Sequence, residues 1–324
     1  MSRVFGEEST TDDVMEGVSL KGKRALVTGA SAGLGVETIR VLVQHGADVV
    51  GAARDLDKAQ QATVGIVPGP DGGSLSFVEL DLASLASVRA CADALNADGR
   101  PFDIVIANAG VMACPQGRTQ DGFETQFGTN HLGHFVLVNR IAHLIAPGGR
   151  FVSLSSAGHR FSDINLDDPN FDTTPYAPFT AYGRSKTANS LFAVEFDRRH
   201  RDRGVRAAAV HPGSIRTELG RHMTPELAAE VAQSIQQSQE AAGSPPFQYK
   251  TIPQGAATSL WAAVVADSDA VGGRYCEDCH VVAEVMADNE GHPVRGGLMP
   301  YAVDPDNARA LWAKSEEMTG ERFA

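Results

Sequence analysis

The stretch RALVTGASAGLG, residues 24–35, decides the fold that this chain is expected to adopt. RALVTG (24–29) is an apolar run that predicts a β-strand, and Gly29, Gly33 and Gly35 follow where the chain must turn sharply into a helix. A glycine turn lets the backbone approach a pyrophosphate, to which the helix N-terminus offers free N–H groups. The stretch therefore predicts a nucleotide-binding turn at the start of the folded body.

Strand-like runs and helical patterns alternate from this point onward. The strands predicted after the first are 47–53, 75–80, 102–110, 150–156, 204–213 and a last one in GGRYCEDCHVV, 272–282. These runs are apolar on both faces, which is typical of parallel strands covered by helices on each side. The predicted fold class is α/β: a single-domain, Rossmann-type, doubly wound parallel sheet of about seven strands with helices on both faces.

Two breaks interrupt this alternation. Residues 1–20 are expected to form a polar N-terminal arm, and residues 21–324 one domain. Within the domain we expect an inserted loop at 157–178 and a region at about 214–253 that could cover a substrate. A near-helical spacing in the second region fits both a lid and a plain surface helix, and its apolar positions are Met223, Leu227, Val231 and Ile235.

The composition argues against several classes of protein. The 324 residues include 28 basic and 40 acidic side chains, a formal net charge of -12, which disfavours nucleic acid and anionic membranes as partners. No apolar run approaches the ~18 residues of a membrane span, and the acidic N-terminus lacks the pattern of a secretory signal. The four cysteines are too scattered for a disulfide framework. The sequence therefore predicts a cytoplasmic protein with reduced thiols.

The end of the second predicted strand bears on the choice of nucleotide. It reads GAARD (51–55), which places Arg54 where a carboxylate would select the ribose hydroxyls of NAD. A guanidinium pairs well with a 2′-phosphate, so NADP(H) is favoured. Asp55 stands beside it and leaves NAD(H) open.

A tyrosine and a lysine lie four residues apart in YGRSK (182–186). Within a helical pattern, Tyr182 and Lys186 project from one face. Tyrosine is a poor base at neutral pH, and a nearby ammonium stabilises its phenolate. The pair becomes a candidate acid/base group because it follows the nucleotide-binding turn and a strand that ends in Ser155 and Ser156.

With these motifs the chain resembles the short-chain dehydrogenase/reductase family, from about residue 20 to residue 320. TGASAGLG (28–35) resembles its cofactor loop, NAG (108–110) its fourth-strand motif and YGRSK its active-site helix. Asn130 in FGTNHLGHF, Ser156 in SLSS and HPG (211–213) fall at the expected places between and after them.

The resemblance implies roles for individual residues. Tyr182 would exchange a proton with the substrate, and Lys186 would bind the nicotinamide ribose and lower the pKa of the tyrosine. Ser156, the second serine of its pair, would hold the substrate oxygen, and Asn130 would support a water that links Lys186 to solvent. Besides Tyr182 and Lys186, cofactor contacts are implied for Gly29, Ser31, Ala32, Gly33, Leu34, Gly35, Arg54, Asp81, Leu82, Asn108, Ala109, Gly110, Pro212, Gly213, Ile215 and Thr217.

The implied function is an oxidoreductase that interconverts an alcohol and its ketone or aldehyde without a metal. Residues 122–135 and the inserted loop resemble the branch with retinol dehydrogenases and light-dependent protochlorophyllide reductases, which implies an apolar steroid-, terpenoid-, aromatic- or long-chain-type substrate. The alternative is a non-catalytic NADP(H)-sensing regulatory protein with the same fold, although a sensor needs no proton relay. The resemblance also implies homodimers or homotetramers through helices at about 121–146 and 179–203, while monomers occur in the family.

The remaining reactive and aromatic side chains are expected to have mainly structural roles. CEDCH (276–280) matches a haem-attachment pattern, but the segment reads as the last strand, and zinc would need further ligands. Four histidines are expected to be packed or hydrogen-bonded, although two of them, His159 and His211, lie nearer the proposed cleft and could touch substrate or cofactor. Three acids are expected to lie in solvated turns. These residues are His131, His134, His159, His211, Asp163, Asp167 and Asp168. Four aromatic residues either pack the inserted loop or form one wall of an apolar pocket: Phe161, Phe171, Tyr176 and Phe179.

Overall fold

The computed structural model describes residues 4–224, 229, 233, 248–283 and 297–323. The strands in these ranges are β1 (Arg24–Thr28), β2 (Asp48–Ala53), β3 (Ser74–Glu79), β4 (Phe102–Ala107), β5 (Ile145–Leu154), β6 (Arg206–His211), β7 (Arg274–Glu277) and β8 (His280–Val281). They form an eight-stranded sheet in the order β3-β2-β1-β4-β5-β6-β7-β8, in which β1 to β7 run parallel. The predicted doubly wound parallel sheet is thus confirmed.

Helices cover both faces of this sheet. The α-helices are α1 (Thr11–Met15), α2 (Gly33–Gln44), α3 (Leu56–Thr63), α4 (Leu85–Asp98), α5 (Thr125–Phe127), α6 (Gly133–Arg140), α7 (Pro178–His200), α8 (Ile252–Leu260), α9 (Ser268–Val271) and α10 (Pro305–Thr319). Successive strand residues enter separate apolar cores: Leu26 and Phe151 belong to one, Val27 and Val152 to the other. Within the described ranges, no helix is both long enough and apolar enough to cross a bilayer.

The strand order reverses at β1, which lies between β2 and β4. Because the chain leaves β1 and β4 toward opposite halves of the sheet, a crevice opens at their carboxyl ends, where open α/β sheets bind ligands. The glycine turn follows β1, residues 108–110 follow β4, and Ser156 and Pro212 come just after β5 and β6. The sheet therefore delivers all four motifs to one edge.

The predicted last strand is in fact a hairpin. Residues 272–282 contain β7 and the antiparallel β8, with Glu277 paired to His280 across a two-residue turn. Both turn residues have a positive φ, 51° at Asp278 and 58° at Cys279. This backbone matches the twist of a hairpin, which Asn-Gly or Asp-Gly ordinarily signals, but here Cys279 stands where the glycine would be. The prediction of a single strand over residues 272–282 was therefore wrong.

The N-terminal segment packs on the body over part of its length. Helix α1 begins with a capping box between Thr10 and Asp13, and Val14, Met15 and Leu20 are buried in the core beneath α2 and α8. The segment reads as polar because these few apolar residues are dispersed among acids, yet they suffice to anchor it.

The C-terminal helix α10 covers the face formed by α6 and α7. The ring of Trp312 lies 5.1 Å from Phe135 and 6.0 Å from Phe192, centroid to centroid. His131 Nε2 lies 2.8 Å from the hydroxyl of Ser315 on the same helix. The two long helices that the resemblance assigns to a subunit interface are thus in contact with this chain's own C-terminal helix.

The inserted loop is organised by Asp168, which is buried and not a solvated turn residue as expected. Its carboxylate accepts hydrogen bonds from Asp172 N at 2.7 Å, from Thr174 N at 2.8 Å and from two threonine hydroxyls. These donors hold the pKa of the carboxyl well below its ordinary value. The other predicted break, the lid or surface helix with Leu227, Val231 and Ile235, lies outside the described residues.

Candidate active site

The glycines of the turn after β1 have no space for a side chain. A β-carbon on Gly35 would stand 2.1 Å from the carbonyl oxygen of Gly29, and one on Gly29 would stand 2.8 Å from Asn108 Nδ2. Gly29 also has a φ of +78°, which other residues rarely adopt. The turn therefore keeps its backbone bare at the N-terminus of α2, as the approach of a pyrophosphate requires.

The turn is tied to its neighbours by Thr28. Its hydroxyl oxygen accepts from the backbone N–H groups of Asn108 and Ala109, both at 3.0 Å, and lies 2.9 Å from His134 Nε2. His134 Nδ1 lies 2.9 Å from the carbonyl oxygen of Asn130, so the proton is assigned to Nδ1, and Nε2 accepts from Thr28. Sequence reasoning assigned His134 to packing and missed that it joins the glycine turn to Asn130.

Another part of the turn faces the segment after β6. A β-carbon on Gly33 would stand 3.2 Å from Cγ2 of Thr217. Ile215 packs on α8, where a β-carbon on Gly255 would stand 2.5 Å from it, and Gly213 lies against the side chain of Lys250. The structure thus brings Thr217 to the glycine turn, together with Ser31 and Ala32, which line one 750 Å³ cavity with it.

The residues expected near the adenosine lie at the ends of β2 and β3. Arg54 is exposed and forms no hydrogen bond or ion pair with any other residue that the structure describes. Asp55 caps α3 by accepting from Lys58 N at 2.9 Å. Asp81 accepts from Ala83 N at 2.9 Å, and Leu82 is buried against Gly133. Of the two adjacent charges, Arg54 is therefore available to a ligand, while one oxygen of Asp55 is already engaged.

Tyr182 and Ser156 lie close together at the carboxyl end of β5. The ring of Tyr182 and the hydroxyl oxygen of Ser156 both approach Gly158, where a β-carbon would stand 2.6 Å from the ring and 3.4 Å from that oxygen, and the tyrosine is 4% exposed. Burial raises the pKa of Tyr182 to about 12, against a smaller lowering by the serine hydroxyl. In this geometry the tyrosine is a protonated phenol at neutral pH.

Lys186 lies one turn further along α7. Its ammonium group donates to the carbonyl oxygen of Leu154 at 2.9 Å and is 5.7 Å from the centre of the Tyr182 ring. Burial lowers the pKa of Lys186 to about 7. Burial thus dominates the pKa values of both groups, and the lowering of the tyrosine pKa that the sequence led us to expect from this ammonium does not appear.

The structure separates the two adjacent serines. Ser155 donates to the carbonyl oxygen of Lys186 at 2.8 Å and accepts from Ser190 at 2.7 Å, so it joins β5 to α7. Ser156 instead faces Tyr182 and accepts from Gly158 N at 3.0 Å. The sequence did not indicate a role for Gly158. This glycine leaves room for the Tyr182 ring, since a β-carbon at residue 158 would stand 2.6 Å from it.

Asn130 occupies a π-helical segment, Gly128–Leu132, between α5 and α6. Its Oδ1 accepts a hydrogen bond from Val111 N at 2.8 Å. Its Nδ2 donates to the carbonyl oxygen of Val111 and to the hydroxyl of Ser185, both at 2.9 Å. A β-carbon on Gly110 would stand 3.1 Å from Asn130 Oδ1 and 3.7 Å from Lys186 Nζ. The NAG segment, Asn130 and Lys186 therefore meet at one place.

Other chemical side chains lie apart from this arrangement. All four cysteines are buried free thiols, and burial raises the pKa of Cys276 to about 12 and that of Cys279 to about 11. Among the described residues, no group of three or more His, Cys, Asp or Glu side chains is placed to hold a metal ion. Phe171 and Tyr176 stack inside the inserted loop, whereas Phe161 is 56% exposed beside Phe179.

Comparison with known proteins gives a consistent result. Residues 23–228 match the short chain dehydrogenase family. Retinol dehydrogenase 14 of Mus musculus is 40% identical over 316 residues, which cover 93% of this chain and 87% of the mouse protein.

Solved structures agree with these relatives. An uncharacterised protein from Mycobacterium paratuberculosis has a TM-score of 0.72 and 33% identity, over 96% of this chain and 98% of its own. An angucycline C-6 ketoreductase, LanV, solved with bound NADP, has a TM-score of 0.61 and 25% identity over 81% of this chain and 95% of its own.

Proposed function

The chain belongs to the short chain dehydrogenase family, whose named relatives are oxidoreductases, and it is an enzyme of this kind that uses a nicotinamide dinucleotide. From this premise we propose that it interconverts an apolar alcohol and its carbonyl compound, with Tyr182 as the acid/base group and NADP(H) as the preferred cofactor. The observation that carries the proposal is the close approach of the buried Tyr182 to Ser156 beside Gly158, one helical turn from Lys186 and on the edge of the sheet that bears the glycine turn.

The glycine turn fits the dinucleotide because its backbone is bare where β-carbons would collide. Gly29, Gly33 and Gly35 would accept the pyrophosphate, and Thr217 and the NAG segment would border the nicotinamide end. When bound, the dinucleotide supplies the hydride to the carbonyl carbon or takes it from the alcohol carbon. The protein residues bind and orient the substrate and move the proton.

Ser156 and Tyr182 converge on one substrate oxygen. The hydroxyl of Ser156 would donate to that oxygen and orient it, and the phenol of Tyr182 would deliver the proton. A tyrosine whose pKa is raised to about 12 remains a protonated donor at neutral pH, which is the state that carbonyl reduction requires. Lys186, held by the carbonyl oxygen of Leu154, would stabilise the phenolate that proton transfer leaves behind.

Two neighbouring charges support the preference for NADP(H). The guanidinium of Arg54 has no partner among the described residues, so a 2′-phosphate could pair with it at no cost to an existing interaction. The carboxylate of Asp55, which would favour NAD(H), already caps α3. The ketoreductase LanV, solved with NADP, supports the same choice by likeness.

The apolar substrate class is supported by two observations. Phe161 is 56% exposed, lies with its ring 5.4 Å from that of Phe179, and is the last residue of the 3₁₀-helical segment Ala157–Phe161, which begins directly after Ser156. An exposed aromatic ring on the segment that follows Ser156 is suited to contact an apolar ligand. The likeness to retinol dehydrogenase 14 points in the same direction.

The test is a screen of apolar alcohols and carbonyls with NADP(H) and NAD(H), followed by nicotinamide absorbance. We expect turnover with NADP(H), and loss of turnover but retained cofactor binding in Tyr182→Phe. Full turnover in Tyr182→Phe would overturn the acid/base assignment. Tight cofactor binding without turnover of any substrate would instead favour the nucleotide-sensing alternative.

A further inference from the structure

His211, the last residue of β6, joins two loops of the active site through one atom. It is 6% exposed, and its Nδ1 accepts from the backbone N–H of Ala157 at 3.1 Å and from that of Gly213 at 3.4 Å. Ala157 belongs to the loop after β5, and Gly213 to the loop after β6. The imidazole therefore bridges the ends of two adjacent parallel strands.

The two hydrogen bonds determine the tautomer of this histidine. Because Nδ1 accepts, the proton lies on Nε2, which faces Glu277 Oε1 at 4.0 Å. Glu277 in turn lies 3.6 Å from the guanidinium of Arg160. Burial and the positive groups around the ring, led by Arg160, hold the pKa of His211 well below its ordinary value. The ring thus stays neutral, and Nδ1 remains an acceptor.

Each bridged loop carries a different part of the proposed chemistry. Ala157 directly follows Ser156, whose hydroxyl oxygen lies beside Gly158 as the ring of Tyr182 does. Gly213 begins the segment that leads to Thr217 beside the glycine turn. A shift of either loop relative to the other would change the distance between the place for the substrate oxygen and the place for the nicotinamide.

We propose that His211 is a positioning residue that holds the Ser156 loop and the 212–217 segment in register through its Nδ1. This role rests on the proposed function, since it concerns the alignment of that site. It touches neither substrate nor cofactor, and it acts through the two backbone N–H groups. We therefore expect kcat to depend on the presence of a hydrogen-bond acceptor in the side chain of residue 211.

The test compares His211→Leu, which removes the acceptor, with His211→Asn, whose side-chain oxygen can replace Nδ1. We expect kcat to fall at least about tenfold in the leucine variant, with KM for the cofactor changed less than about threefold, because misplacement acts on the chemical step. Asparagine should restore most of the lost kcat. His143→Leu, at an exposed histidine of the same chain, serves as the matched control.

Ala157→Pro tests the same bridge from the donor side, since proline lacks the N–H. It should lower kcat like His211→Leu, and the double variant should be no worse than either single one. Unchanged kcat in a folded His211→Leu protein, or equal losses in the leucine and asparagine variants, would overturn the inference. Absence of turnover in the unmodified enzyme would overturn the proposed function itself.

Discussion

Gly158 and Tyr182 are in such close contact that a β-carbon on the glycine would stand 2.6 Å from Cε1 of the tyrosine ring. The same atom would stand 3.4 Å from the hydroxyl oxygen of Ser156. The absence of a side chain at residue 158 is therefore what permits the phenol and the serine hydroxyl to meet.

Gly158→Ala should displace the tyrosine ring and lower kcat by about tenfold or more, because sub-ångström placement of the proton donor matters to the chemical step. Cofactor affinity, followed by quenching of protein fluorescence, should change little. Gly65→Ala is the control, since a β-carbon there meets nothing within 4 Å. Equal activity of the two variants would show that the contact does not position Tyr182.

Arg54→Ala should weaken the binding of NADPH by about tenfold to a hundredfold, the loss of one charge-assisted interaction, and leave NADH binding unchanged. Isothermal titration with both cofactors measures this directly. Arg201→Ala removes an exposed arginine from the far end of α7 and should have no effect. An equal loss for both cofactors would contradict a contact between Arg54 and the 2′-phosphate.

Lys186→Met should stabilise the protein near neutral pH while it lowers activity. Burial lowers the pKa of Lys186 from 10.5 to about 7, so between these values the unfolded chain binds more protons than the folded one. The contribution of Lys186 to the free energy of unfolding therefore rises with pH across this window. Below pH 7 Lys186 is charged in the folded state, and the burial of its ammonium group lowers the free energy of unfolding by the full amount.

Urea unfolding at several pH values checks this expectation. The free energy of unfolding of the variant should exceed that of the unmodified protein by about 1 kcal/mol or more at pH 6–7, and this difference should shrink toward pH 10. Lys21→Met, at an exposed lysine, should show no such trend. A constant difference at all pH values would mean that packing, and not charge, distinguishes the variant.

Trp312→Ala should lower the free energy of unfolding by about 3–5 kcal/mol, the usual cost of removing a buried tryptophan. It should also uncover part of α6 and α7, so that light scattering detects more association than for the unmodified protein. Arg309→Ala, at a side chain that is 49% exposed, is the control. A dimer of the unmodified protein that survives unchanged in Trp312→Ala would place the interface elsewhere.

Several features of the site were predictable because they depend on local chain geometry. A glycine turn between a strand and a helix, and Tyr182 and Lys186 one turn apart, follow from backbone conformation over a few residues. The parallel sheet followed from strand runs that are apolar on both faces. The β7–β8 hairpin was missed because Cys279 adopts a positive φ at the turn position where glycine ordinarily follows aspartate or asparagine.

The amino-acid order alone determined the strand–helix alternation, the bare turn after β1 and the order of the chemical side chains along the chain. Only the tertiary structure decided which serine faces Tyr182, how far burial moves the pKa values of Tyr182 and Lys186, and that α10 covers α7. The reason is physical. Burial and contact depend on residues that are distant in the chain, as His211 and Ala157 are, and no local pattern records which of them will meet.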